Sequence, residues 1–236
     1  MNLNCRNIFL YSILSFCFLS CKNNDNIFPA VQNASLTIVN ASADTLNYYI
    51  NGTRQNNTSG LFPGGALVNQ TVPAGTSNYQ FKKSGNASVL FSKAITLQYN
   101  ANNNITVANS IYVYGELPNQ NFLVLNDTLV ASTANNTATI RFVNLSPDAG
   151  SITVSVGIAK SGNLTSFNQI AFASKPLSNS ISSGLNEIKV FLPNISNPKI
   201  DTTINIQPNT VNTIFTKGLL KGAGGAAFAL GAMVNK

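Results

Sequence analysis

Residues able to carry proton-transfer or nucleophilic chemistry are scarce in this 236-residue chain: seven Asp and Glu, three cysteines and no histidine. Without histidine there is no imidazole base for a Ser-His-Asp arrangement and no Cys/His set for zinc. A Ser-x-x-Lys pattern stands at Ser196-Asn197-Pro198-Lys199. A Ser-Lys dyad needs a helix that aims the lysine back at the serine, and the Asn-Pro step opposes one. Gly222 to Ala227 has the Gly-x-Gly-x-x-Ala form of a dinucleotide-binding turn. It lies too near the end of the sequence for a βαβ unit and an acidic residue about 20 positions on, so a hairpin turn is expected there. Glycoside hydrolysis needs paired carboxylates, whereas Asp25, Asp44, Glu116, Asp127, Asp148, Glu187 and Asp201 stand singly. None of their loops is dense enough in acids for calcium. Asp44 and Asp148 read as turn residues bonding their own backbone. The expectation is a protein that is not an enzyme, with no catalytic residue, no metal and no cofactor.

Binding chemistry is better represented. Tyr112 and Tyr114, two apart in Ile111-Tyr112-Val113-Tyr114, would share one strand face, and Tyr48-Tyr49 would place one ring on each face. Exposed rings of this kind stack on sugars, which makes Tyr112 and Tyr114 candidate ligand-stacking residues. The chain has no tryptophan, the side chain with the largest flat face for that purpose. Tyrosines that pack a core or pair across strands are the alternative. The net charge of +7 is scattered, with Lys82-Lys83 the one adjacent basic pair. Nucleic-acid readers cluster such residues on one face, so a nucleic-acid partner is not expected.

The start of the chain supplies an address. Arg6 precedes an apolar run from Ile8 to Leu19, which ends at Ser20-Cys21 and the polar Lys22 to Asn26. A run of about a dozen residues is short of the roughly 20 that cross a bilayer and has the layout of a cleaved signal peptide. The end of that run resembles the lipobox of bacterial lipoproteins, with Phe18 standing where the tightest form has leucine. The resemblance implies cleavage between Ser20 and Cys21 and an acyl group, such as palmitate, on Cys21. It implies a lipoprotein anchored in the cell envelope, at the outer membrane, with its side of that membrane left open. An ordinary signal peptide with an incidental cysteine is the alternative. Cysteine usage opposes it, because removal of residues 1–20 takes Cys5 and Cys17 and leaves Cys21 without a disulfide partner. Residues 21–33 then read as the lipidated cysteine and a flexible tether.

Beyond the tether the chain repeats itself. Val39-Asn40, Ser42 and Asp44 match Val143-Asn144, Ser146 and Asp148 at a spacing of 104, and Gly52 matches Gly157 at 105. At a spacing of 109, Val72, Gly75, Tyr79 and Phe81 match Ile181, Gly184, Ile188 and Val190, and Ile95, Leu97, Gln98 and Ile105 match Ile204, Ile206, Gln207 and Ile214. Apolar residues alternate within each copy, as in Ile152, Val154 and Val156, and turn residues break the runs, as in Asn51-Gly52 and Ser146-Pro147-Asp148. The pattern predicts an all-β chain of two tandem β-sandwich domains, 34–131 and 136–236, joined near Ala131 to Thr137.

The strand-turn-strand signature, "VNASAD" from Val39 and "VNLSPD" from Val143 followed by an alternating strand, is similar to the domain of unknown function 4397 family of exported bacterial proteins. That resemblance implies a small immunoglobulin-like sandwich and no settled activity. Asp44-Thr45, Asp127-Thr128 and Asp201-Thr202 also look like the Asp-Ser/Thr-x acceptor of O-glycosylation in some Gram-negative envelopes, making Thr45, Thr128 and Thr202 candidate glycosylation sites. The function expected is a non-catalytic envelope lipoprotein, a binding or scaffold module held to the membrane by its lipid. An accessory glycan-binding lipoprotein is the alternative, with a glycan or another envelope protein as partner. An enzyme with a carboxylate-based site is the remote alternative.

Overall fold

The structure is a computed structural model that describes residues 32–56, 59–99, 105–116, 119–130 and 136–235. Ser20, Cys21, the tether up to residue 31 and residues 131–135 of the expected seam lie outside the described residues. The first copy contains β1 (Asn33–Asn40), β2 (Leu46–Ile50), β3 (Thr53–Arg54), β4 (Ala66–Pro73), β5 (Gly75–Lys83), β6 (Val89–Leu97), β7 (Ile105–Tyr114) and β8 (Asn121–Val130). The second contains β9 (Thr137–Asn144), β10 (Ile152–Ile158), β11 (Thr165–Ile170), β12 (Leu177–Ser182), β13 (Gly184–Phe191), β14 (Ile200–Ile206), β15 (Val211–Lys217) and β16 (Ala229–Asn235). Two four-stranded sheets form each copy, in the orders β4-β1-β7-β8 and β3-β2-β5-β6, then β12-β9-β15-β16 and β11-β10-β13-β14. The fold is thus all-β, two tandem immunoglobulin-like sandwiches of the same topology. Both close their first sheet by a parallel pair, β1 with β7 and β9 with β15.

The strand registers correct the repeat at two points. Ile111 lies opposite Ile38 and Ile214 opposite Phe142, so the residue equivalent to Ile214 is Ile111 and not Ile105. The first copy carries a longer connection between β6 and β7, and an alternating strand offers the same apolar pattern at any even offset. Gly52 and Gly157 are also one residue out of step. Ile50 and Val156 are the equivalent positions, since they face Tyr79 and Ile188.

Each copy buries its own core. Leu36, Ile38, Tyr48, Tyr79, Phe81 and Ile111 fill the first, and Ile140, Phe142, Val154, Ile188, Val190 and Ile214 the second. A third cluster belongs to both copies: Val39, Ala41, Tyr112 and Tyr114 of the first pack with Val143, Leu145 and Phe215 of the second. The central strands β1 and β7 of one sheet and β9 and β15 of the other are therefore covered on both faces. One-sided alternation, expected from the sequence, fails in these strands because their second face meets the other copy. Tyr112 meets Phe215 edge-on at 5.4 Å between ring centroids. Gly231 leaves room for that ring, since a methyl group there would collide with the Phe215 phenyl carbons. Across the same boundary the Arg141 guanidinium binds both carboxylate oxygens of Asp127, with Nη2 donating to Oδ2 at 2.7 Å, while its Nε donates to Thr213 Oγ1 at 2.6 Å. Bidentate pairing keeps this buried charge hydrogen-bonded.

The repeated Asn, Ser and Asp residues build a corner at the end of β1 and of β9. Asn40 Nδ2 donates to the carbonyls of Asp44 and Leu61, both at 2.7 Å, and Asn40 Oδ1 accepts from the Ser42 amide and hydroxyl. Asn144 donates to the carbonyls of Gly150 and Ile170 and accepts from the Ser146 amide and the Thr216 hydroxyl. Each asparagine is fully buried, and its side chain ties together backbone groups that meet at the corner. The aspartates reach further than their own turns. Asp44 pairs with Lys83 at 2.6 Å and accepts from Gln120, and Asp148 accepts from the Leu220 amide at 3.0 Å.

Candidate functional site, an open flank of the second sandwich

The two copies differ most usefully along one flank. In the first sandwich β6 and β8 are the last strands of facing sheets. Phe91 on β6 stacks on Phe81 at 4.9 Å and on Phe122 of β8 at 5.4 Å, which closes the space between the two edges. Lys93, on the same side of β6, lays its ammonium 5.3 Å from the Phe122 ring centre, a favourable cation–π contact.

In the second sandwich β14 and β16 take those places. Pairing registers put Ile200 where the first copy has Phe91, opposite Val190 and Phe81 respectively, and Thr202 where it has Lys93. Leu230 and Ala232 likewise replace Phe122 and Val124. The smaller side chains leave an apolar cleft of about 370 Å³ between the two edge strands. Its floor is Ile188 and Ile214, both deep in the core, and its walls are Ile200, Thr202 and Ile204 on one side and Phe228 to Ala232 on the other. That volume falls at the lower end of the range for ligand pockets. Thr202 supplies its one side-chain hydroxyl. No ionisable side chain lines it, so the cleft offers shape and desolvation rather than acid–base chemistry.

The residues singled out in the sequence do not gather there, apart from Thr202. Tyr112 and Tyr114 are 0% and 8% exposed, and both belong to the cluster between the copies, so neither ring can stack on a ligand. The two share a strand face as expected, but the other sandwich covers that face. Burial pushes both phenols above their ordinary pKa. Tyr49, by contrast, points outward from β2, with the Lys82 ammonium 4.6 Å from its ring centre. Thr45 is half-buried beside the first corner, Thr128 lies in β8 opposite Val107, and Thr202 is exposed on β14. Asp127, the acid of the second acceptor pattern, is engaged by Arg141. Ser196 to Lys199 is an irregular bend leading into β14, and Gly224 to Ala226 form a short 3-10 turn in the β15–β16 hairpin. Among the described residues no three His, Cys, Asp or Glu side chains gather, and no helix is long and apolar enough to cross a membrane. The cleft could have been found by following the 109 spacing from Phe91 and Lys93 to Ile200 and Thr202.

The profile of the family described as domain of unknown function (DUF4397) matches residues 34–155, which spans the first sandwich and the start of the second. The chain belongs to that family. No curated protein matches the sequence. Among solved structures, the Bacillus anthracis TIE protein is similar at 9% identity and a TM-score of 0.25, over 78% of this chain and 33% of that one. The chain thus spans about a third of that protein's length. A protein described as a putative cell adhesion protein, from Bacteroides uniformis, aligns at 8% identity and a TM-score of 0.25, over 88% of this chain and 98% of that one. A carbohydrate-binding module of family CBM26 from Eubacterium rectale Amy13K, in complex with maltoheptaose, aligns at 11% identity and a TM-score of 0.25, over 86% and 96%.

Proposed function

We propose that this chain is a non-catalytic binding module of the bacterial cell envelope, anchored through an acylated Cys21, that takes an apolar group of its partner into the open flank of the second sandwich. The observation that carries the binding reading is the contrast between flanks: the same space is sealed by Phe91, Phe122 and Lys93 in one copy and left as a cleft in the other. Exposed apolar walls of this kind carry a free-energy cost in water that a bound apolar group removes. The anchor rests on the short apolar run ending at Ser20-Cys21.

Methyl NMR of the isoleucines, titrated with anilinonaphthalene sulfonate as an apolar probe, tests the site. The expected result is saturable shifts at Ile200, Ile204 and Ile214, with Ile38 and Ile111 unmoved. Equal shifts in both sandwiches, or none, would refute it. Metabolic labelling with a fatty-acid probe tests the anchor separately. Label should enter the wild type and be lost in Cys21→Ser, and equal labelling of the two would rule out acylation at that residue.

A second reading, glycan binding, draws on Tyr49, whose ring faces outward on β2. A glycan array run with the wild type and Tyr49→Ala tests it, and binding that survives the substitution removes that face from consideration.

A further inference from the structure

We infer that the cleft is completed by an extended peptide strand of a partner polypeptide, which pairs along β14 and sends alternate large apolar side chains between Ile200, Ile204 and Leu230. This inference rests on the proposed reading of the cleft as a binding site and adds the chemical class of what binds. Three observations carry it. The first is geometric. β14 ends its sheet, so among the described residues no strand pairs with its outer edge. Ile200, Thr202 and Ile204 are two apart along it and face the cleft. A strand laid beside β14 repeats with the same period and delivers every second side chain to the same space.

The second is a missing guard. Exposed edges are commonly protected against strand addition by proline, by lysine or by a charged side chain turned inward. β6 has such a residue in Lys93, folded over Phe122. β14 reads IDTTINI: its one charged residue, Asp201, lies on the other face beside Lys189 of β13, and the position equivalent to Lys93 holds the uncharged Thr202, so no charge is turned toward the cleft. The third is the kind of polar group on offer. Pockets for small molecules orient the ligand with a few convergent polar groups, and here Thr202 is the one polar side chain among apolar walls, which leaves the edge backbone as the main polar partner. Such an edge recognises another backbone. The first copy shows what fits between the strands, because phenylalanine rings from neighbouring strands fill that space there.

The test uses the full chain and a fluorescein-tagged synthetic peptide of about ten residues, alternating phenylalanine or leucine with threonine. Anisotropy should report saturable binding. Two changes should each weaken it by about tenfold: N-methylation of alternate peptide nitrogens, which removes edge hydrogen bonds and keeps the side chains, and Thr202→Lys, which restores the guard. The methyl NMR spectrum of Thr202→Lys should remain that of the folded protein. Undiminished binding of the N-methylated peptide overturns the inference, because side-chain adhesion without strand pairing would explain it. Binding of anilinonaphthalene sulfonate at Ile200 and Ile204 with no peptide binding also overturns it, while leaving the cleft as a small-molecule site. Failure of both probes removes the inference and the proposed function together. A concentration-dependent dimer abolished by Thr202→Lys would assign the edge to a second copy of this chain and overturn the partner strand.

Discussion

The two sandwiches share strand order, corner residues and parallel closure, yet one is sealed along its flank and the other is open. Phe91, Lys93, Phe122 and Val124 in the first are Ile200, Thr202, Leu230 and Ala232 in the second. None of these changes disturbs the sheet ladders, so the fold tolerates either set. The difference lies in what the flank presents to its surroundings: stacked rings under a cation, or a hollow. The outer faces of β1 with β7 and of β9 with β15 are treated alike in both copies. There Val39 and Val143, and Tyr112 and Phe215, bring equivalent faces together as a symmetric dimer would. One face of the repeat thus joins the copies to each other, and another distinguishes them.

The joining face is the first place to break the comparison. We propose that segments 34–131 and 136–236 each close a core of their own but unfold together through the shared cluster. Arg141→Ala would remove the bidentate guanidinium from Asp127 in a boundary where the two residues are 8% and 9% exposed. Removing one partner of a buried pair costs about 3–5 kcal/mol. Chemical denaturation of the variant should show that loss in both sandwiches, with the Tyr112 environment and the Ile188 methyl changing in one transition. Separate transitions would mean that the copies are energetically independent.

The sealed flank is the second. Phe91→Ala should cost about 2 kcal/mol, below the 3–5 kcal/mol of a fully buried phenylalanine because this ring is only partly covered. It should also give the first sandwich a cleft, seen as new probe-induced shifts at its isoleucines. Loss of stability without probe binding would show that the hollow collapses once the ring is gone.

A smaller effect separates the copies by pH. Tyr79 is buried in the first core, its hydroxyl finds no partner among the described residues, and burial with the neighbouring Tyr48 pushes its pKa up to about 12. Tyr48 is raised by burial as well. The unfolded chain ionises its tyrosines near pH 10, so the unfolded state loses protons first. Stability is full below about pH 10 and falls as the pH rises toward 12. No tyrosine follows Tyr114 in the sequence, and Ile188 stands where Tyr79 does. Alkaline titration followed by NMR should therefore shift resonances packed on Tyr79 ahead of the common unfolding transition, while those around Ile188 hold until it. The reverse order would contradict the assignment.

Much of this architecture is legible in the residues. Alternating β-branched runs, turn residues and the repeated Asn-x-Ser-x-Asp reveal two sandwiches, because strand period and turn chemistry are local properties. Burial of the second face of β1, β7, β9 and β15 is not local. Nothing in Ile111 to Tyr114 tells which ring meets solvent, since its cover comes from Phe215, about a hundred residues away. Arg141, alone between Ile140 and Phe142, reads as a solvated position until Asp127 is placed beside it. The corner asparagines are legible as a pattern, but their bonds to the distant Leu61 and Ile170 carbonyls are not. The cleft is a difference between aligned copies, and it shows only when the register through β6 and β14 is followed position by position.

Transplanting the first flank onto the second tests the account most directly. The variant Ile200→Phe, Thr202→Lys, Leu230→Phe carries the residues of the sealed copy at equivalent positions in the open one. Binding of anilinonaphthalene sulfonate, measured by fluorescence on the full chain, should weaken by about tenfold or more while the protein stays folded. Undiminished probe binding by a folded variant would show that the open flank is not the binding site.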